Sequence, residues 1–207
     1  MAITTYTELK TAIANFLARS DLTDRIPEFI SLAESRMSRE LETRSQEKRA
    51  TAVTTSGDEF ISLPTDLRRI RLVKNNTSTV EVLDYATPKD YYEKYASSGG
   101  GRPKLYTIIG AEIAMRPIPD SAYTIEIIYG EDISALSDAN LTNTVLTRHP
   151  DVYLYGSLSA AHIFLMDEAR AAQYDTLFSR AIEEINKDND KAFFAGSLSM
   201  KSDYLGA

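Results

Sequence analysis

The chain has no cysteine at all. Disulfides, thiolate metal sites and cysteine nucleophiles are therefore excluded outright. Basic residues are in deficit: 23 Lys and Arg face 30 Asp and Glu, leaving a net charge of -7. General affinity for DNA or RNA normally shows as a basic excess, so a freely solvated nucleic-acid binder is disfavoured. Histidine is reduced to two positions, His149 and His162, and neither has an acidic or histidine partner at metal-ligand spacing. No basic segment followed by an apolar core opens the chain, so no secretory signal is expected. The longest apolar stretch is interrupted by Gly156, Ser157, Ser159 and His162, which leaves nothing of membrane-spanning length. These absences point to a protein made in the cytoplasm, with no membrane partner and no cofactor or metal. Its 207 residues, 43% of them hydrophobic, suffice for one good-sized core, or for one core with an inserted module.

The stretch from His149 to Asn186 organises the rest. Pro150 suits the first turn of a helix and Asp151 suits its positive end. Val152 to Met166 is apolar or small nearly all round, the mark of a helix buried on most sides. After Asp167, the residues Tyr174, Leu177, Phe178, Ala181, Ile182 and Ile185 form a one-sided pattern opposite Arg180, Glu183, Glu184 and Lys187. The expectation is two helices, folded back or kinked near Asp167-Glu168.

At the other end, Thr5-Tyr-Thr-Glu8 has the form of a capping box ahead of Leu9, Ala12, Ile13, Phe16 and Leu17. Pro27 opens a second helix with Phe29, Ile30, Ala33, Met37 and Leu41 inside and Glu34, Arg36, Arg39 and Glu40 outside. Between these helical ends the period shortens. Ala50–Thr55 and Phe60–Leu63 around Ser56-Gly57-Asp58 suggest a hairpin, and Ile70–Val73 and Thr79–Leu83 around Asn75-Asn76 suggest another. Thr87-Pro88 starts a short helix bearing Tyr91, Tyr92 and Tyr95. Strands follow around Gly110, and the cleanest alternation of the chain runs from Tyr123 to Tyr129. Gly130 to Asn143 reads as a polar, acidic connection.

The fold class expected is α+β. N- and C-terminal helices (1–45 and 143–190) form an antiparallel helical bundle, because each pair has an apolar face that nothing else covers. A module of short antiparallel strands with one short helix (46–142) is inserted between them, and a tail (191–207) follows. That tail carries Phe193, Phe194, Leu198, Met200, Tyr204 and Leu205 without a regular period, which suits a segment packed on its own domain or held for a partner.

The candidate chemistry is thin. Gly99–Gly101 near Lys104 lacks the Walker spacing and runs into Pro103 and a strand. Asp188-Asn189-Asp190 begins like a calcium loop but lacks its later glycine and glutamate. His149 suits a helix start and His162 a core position. No Gly-x-Ser-x-Gly elbow is present, and Gly156-Ser157 is better read as small residues permitting close helix packing. Arg68, Arg69 and Arg71 have two readings: a charged strand edge that discourages stray pairing, or an ionic subunit contact. Glu112 and Glu126, placed on neighbouring strands, are the carboxylates a hydrolase would need.

Four segments recur together in a fixed order: Ile26-Pro-Glu-Phe-Ile-Ser-Leu-Ala-Glu-Ser-Arg36; Ser62-Leu-Pro-Thr-Asp66 before Arg69-Ile70; Gly101-Arg-Pro-Lys-Leu-Tyr106 leading to Met115-Arg-Pro-Ile-Pro-Asp120; and Pro150-Asp-Val-Tyr-Leu-Tyr-Gly-Ser-Leu158. In that order the chain resembles the head-to-tail adaptor (connector) proteins of tailed bacteriophages, the group that includes tail tubular protein A, from about Tyr6 to Ile185. The resemblance implies a non-enzymatic virion protein at the head–tail junction, assembled in the host cytoplasm. It implies a homo-oligomeric ring, usually of twelve copies, between the portal protein and a downstream tail protein (nozzle, stopper or tail tube), around viral DNA that passes without specific binding. It also implies that the C-terminal residues reach the portal. Another tail-completion or baseplate protein is the alternative within the same class.

Overall fold

The computed structural model describes residues 2–41, 46–94 and 99–193. The chain divides into two compact units, one of residues 1–45 with 133–207 and one of residues 46–132. Their secondary structure is α+β.

In the first unit, α1 (Tyr6–Leu17) starts on the expected capping box: Glu8 N–H donates to Thr5 Oγ1 at 3.3 Å and the Glu8 carboxylate accepts from Thr5 N–H at 3.0 Å. A single 3₁₀ turn, Thr23–Arg25, leads into α2 (Ile26–Glu40), with proline in its first turn. After the second unit the chain returns through a short α4 (Thr144–Arg148), which the polar composition ahead of His149 does not advertise. Asn143 caps it, accepting from Leu146 N–H at 2.8 Å. α5 (Pro150–Phe164) and α6 (Glu168–Phe193) follow. Leu9, Ile13, Ile30, Met37, Val152, Tyr153, Leu158, Phe178 and Ile182 are all buried in one core, so N- and C-terminal helices share their apolar faces. The acidic segment after Asp132 adds Leu136 to that core.

The junction of α5 and α6 is a true turn. Met166 N–H donates to Ile163 C=O at 3.1 Å and Asp167 N–H to His162 C=O at 3.0 Å, the bond pair of a Schellman motif. The residue in the left-handed position is Met166, at φ 56, where glycine usually stands. For a side chain of this size the conformation costs roughly 1–2 kcal/mol. Asp167 then caps α6, accepting from Arg170 N–H at 3.2 Å.

The second unit is two four-stranded sheets. Sheet one has the order β1 (Glu47–Val53), β8 (Thr124–Glu131), β3 (Leu67–Asn75), β4 (Glu81–Val82). Sheet two has β2 (Phe60–Ser62), β7 (Glu112–Arg116), β6 (Leu105–Ile109), β5 (Asp84–Tyr85). Val73, Ile125, Ile127 and Tyr129 of the first pack with Tyr106, Ile113 and Met115 of the second. The expected hairpin of residues 50–63 does not form: β1 pairs with β8 and β2 with β7, in different sheets. Alternation identifies a strand but not its partner. The other two expected pairs do form, β3 with β4 and β6 with β7 around Gly110 at φ 62. One pair departs from the antiparallel expectation. β5 and β6 are parallel, joined through the short helix α3 (Pro88–Lys94), the connection that parallel neighbours require.

Candidate functional site

The chemically suggestive residues do not converge. Glu112 lies exposed on β7 and Glu126 buried on β8, so the two carboxylates belong to different sheets instead of neighbouring strands. Glu126 is neutralised where it stands: Lys74 Nζ is 3.2 Å away, Arg49 Nε 3.7 Å, and Asn76 Nδ2 donates at 3.2 Å. The triple glycine leads to β6 with no helix behind it, and Gly101 N–H donates to Ile118 C=O at 2.8 Å. Asp188 to Asp190 is an ordinary turn of α6, with Lys191 at 3.2 Å from Asp188. Among the described residues no three His, Asp or Glu cluster as metal ligands would.

His149 is half-buried just ahead of α5, and burial pushes its pKa down. His162 is buried in α5, stacked on Tyr174 of α6 with ring centres 5.4 Å apart. Burial also holds its pKa below the ordinary histidine value, with the Asp167 carboxylate at 3.8 Å acting weakly the other way. It is therefore a neutral core residue at physiological pH.

The three arginines stand on β3. The pairing of β3 with β8 slips between Leu67 and Arg69 and again between Ile70 and Leu72, so Arg68 and Arg71 are the extra residues of two bulges. Arg69 and Arg71 are exposed, and Arg71 pairs with Glu47. β4 pairs with β3 only at Lys74 and Asn75. Beside them, Lys48 bridges Asp66 at 3.0 Å and Glu131, and Tyr129 OH donates to Asp66 at 2.9 Å. Those bonds raise the Lys48 pKa and, on the other side, lower that of Asp66.

Of the tail residues, Phe193 closes α6. Phe194, Leu198, Met200, Tyr204 and Leu205 lie outside the described residues, as does Tyr95.

Two arrangements in the helical unit escape a reading of the sequence. Glu34, assigned to the outer face of α2, is half-buried. Its carboxylate accepts from Leu136 N–H at 2.8 Å and Tyr153 OH at 3.1 Å, while Asn143 Nδ2 donates to Tyr153 OH at 2.6 Å and to Ser134 C=O at 2.8 Å. This network ties the chain re-entering the unit to α2 and α5. Arg36, also assigned outside, lies over the Phe178 ring and binds Asp175 of α6 as well as Glu40. Burial raises the pKa of Glu34, against its two hydrogen bonds. A raised carboxyl pKa means stability that is present below the unfolded value and lost as pH rises through the folded one. Gln keeps the acceptor without the charge. Glu34→Gln is therefore expected to be more stable than the parent at pH 8, with the difference shrinking toward pH 4.5. Urea midpoints measured across that range check this, and a pH-independent difference would refute it.

Among the described residues the candidate reactive groups do not converge on one site. The family model described as SU10 adaptor protein matches residues 4–200. The chain belongs to this family. Its members are phage head-to-tail adaptors, so the protein is a bacteriophage structural protein and a virion component, in an adaptor family and not an enzyme family. Membership implies portal and tail proteins as partners. Among the described residues, no helix is long and apolar enough to cross a membrane. The sequence matches no curated protein.

Proposed function

We propose that this adaptor forms a ring of about twelve copies that joins the portal to the next tail component around the DNA channel. Family membership over residues 4–200 carries the reading. In it, residues 1–45 and 143–190 act as an antiparallel bundle, one stave of the ring. The strand module of residues 46–142 presents its surface to the nozzle, stopper or tail tube. The tail, with Phe193, Phe194, Leu198, Met200, Tyr204 and Leu205, docks on the portal. Two features support this. A net charge of -7 repels phosphate, which suits a channel that DNA must traverse without sticking. A tail of 14 residues beyond Phe193 with five large apolar side chains suits a segment that orders on a partner. Arg69 and Arg71, exposed on β3, with Arg68 between them and Leu67, supply ionic contacts to a neighbouring copy. Such a contact is heterologous, as ring closure requires. Assembly takes place in the host cytoplasm.

The test is to mix the purified protein with its cognate portal and image the complex. A ring of added density beneath the portal is expected. Binding to tail tubes with no binding to portal would instead assign the protein to tail completion or the baseplate.

A further inference from the structure

The turn between α5 and α6 contradicts its own sequence. Ile163-Phe-Leu-Met-Asp-Glu-Ala-Arg170 contains neither glycine nor proline, and each of its residues is compatible with a helix. Yet the chain reverses there within three residues, by placing Met166 at φ 56. Local preference thus favours one continuous helix from Pro150 to Phe193, about 66 Å long, while packing imposes the turn. Short hinges under strain are the setting in which an element is exchanged between copies, because the exchange keeps every native contact and releases the strain.

We propose that the α5–α6 turn opens into a continuous helix and that α6 is exchanged between two copies of the chain. The groove that receives it already exists. In the closed chain α6 sets Phe178 against Gly156, stacks Tyr174 on His162, binds Arg36 through Asp175 and Ser179, and donates from Asn186 Nδ2 to Glu40 C=O at 2.9 Å. Each of these contacts forms equally well with the α6 of another copy. The hinge itself offers what a new contact between copies would cover: Ile163 is 67% exposed, Phe164 53% and Met166 90%. Phe164 already meets the Phe29 ring, with centres 5.6 Å apart, in the closed chain. Opened hinges of two copies run side by side, so Ile163, Met166 and the remaining exposed part of Phe164 are covered in the exchanged form. At the turn itself, opening breaks the two Schellman bonds, the Asp167 cap on Arg170 N–H and the weak 3.8 Å approach of Asp167 to His162. Passed on from copy to copy, the same exchange is heterologous and is compatible with a closed ring. That extension rests on the ring reading above; the exchange between two free copies does not.

The absence of cysteine makes a direct test possible. Full-length Glu40→Cys and full-length Asn186→Cys are prepared separately and treated with a short bis-maleimide, in one arm after unfolding and refolding together, in another after mixing as folded proteins. A link between residues 40 and 186 then joins two chains only if α6 has been exchanged. A cross-linked pair is expected after co-refolding, at a yield at least tenfold above that of the mixed folded proteins. Met166→Gly, which accepts the left-handed conformation freely, is expected to lower that yield about tenfold. Asp167→Ala, which removes the α6 cap, is expected to raise it. Equal yields in the two arms, or yields unmoved by both hinge variants, would overturn the proposal. Neither outcome involves the portal, so failure here is distinct from failure of the ring reading.

Discussion

Replacing Gly156 with alanine is expected to destabilise the helical unit by about 1–3 kcal/mol, and valine at the same place by enough to unfold it. Glycine inside an exposed helix is a weakness, and alanine there normally gains roughly 0.5–1 kcal/mol. Here the sign reverses. A Cβ at position 156 would lie 2.8 and 2.9 Å from the edge of the Phe178 ring and 3.0 Å from the Ala33 Cβ. The ring has little room to retreat, since Phe178 is fully buried and the Arg36 guanidinium sits 4.5 Å from its centre, itself tied to Asp175, Ser179 and Glu40. Either α6 or α2 must therefore shift away from α5. Denaturant unfolding gives the direct measure, and a double-mutant cycle shows the cause. Phe178→Ala alone opens a cavity and costs about 3–5 kcal/mol. In a Gly156→Ala background it should cost clearly less, because the new methyl occupies part of the space. Additive losses would show that the clash is relieved elsewhere.

This contact shows how far the sequence could be read. Small residues at Gly156-Ser157 pointed to close helix packing, and Gly156 does meet Phe178 and Ala33. Local signals were similarly plain at the Thr5–Glu8 capping box, at Pro27 and Pro150, and around Gly110. Non-local ones were not. β1 meets β8 by pairing Glu47 with Gly130 and Val53 with Thr124, and no periodicity encodes which distant strand completes a sheet. Glu34 and Arg36 fell on the charged side of an amphipathic pattern, yet long polar side chains at the border of that side reached partners from other segments. The end of α5 was ambiguous for a physical reason: the residue that makes the turn is methionine, so the usual glycine signal was missing. The arginines of β3 were legible as a charged group, but the two bulges that set Arg68 and Arg71 out of register were not. Function was legible only in the order of motifs along the chain, which the family match over residues 4–200 supports. No single residue carried it.

A chain ending at Ala195 is expected to fold normally and to lose portal binding by at least two orders of magnitude. The first half of this expectation follows from the core. Its described members, from Ile3 and Tyr6 through Phe178 and Ile182 to Ile185, precede the truncation point, as does Asn186, whose Nδ2 donates to Glu40 C=O of α2. The far-UV spectrum and the unfolding midpoint should therefore match those of the full chain. The second half rests on the proposed role of the tail. Leu198, Met200, Tyr204 and Leu205 are lost together, and Lys201 with Asp203 leaves the removed segment without net charge. With no net charge to steer it, the segment contributes to binding through burial of its apolar side chains, and a few anchors of this kind typically dominate an interface, at about 2 kcal/mol or more each. Losing two such anchors already exceeds a hundredfold in affinity. Replacing Leu198, Met200 and Leu205 with serine in the full-length chain separates side-chain anchoring from mere length. The same loss is expected there. A truncated chain that unfolds would place the tail in the helical core, and one that folds and still binds the portal would move the docking surface to the strand module or the helices.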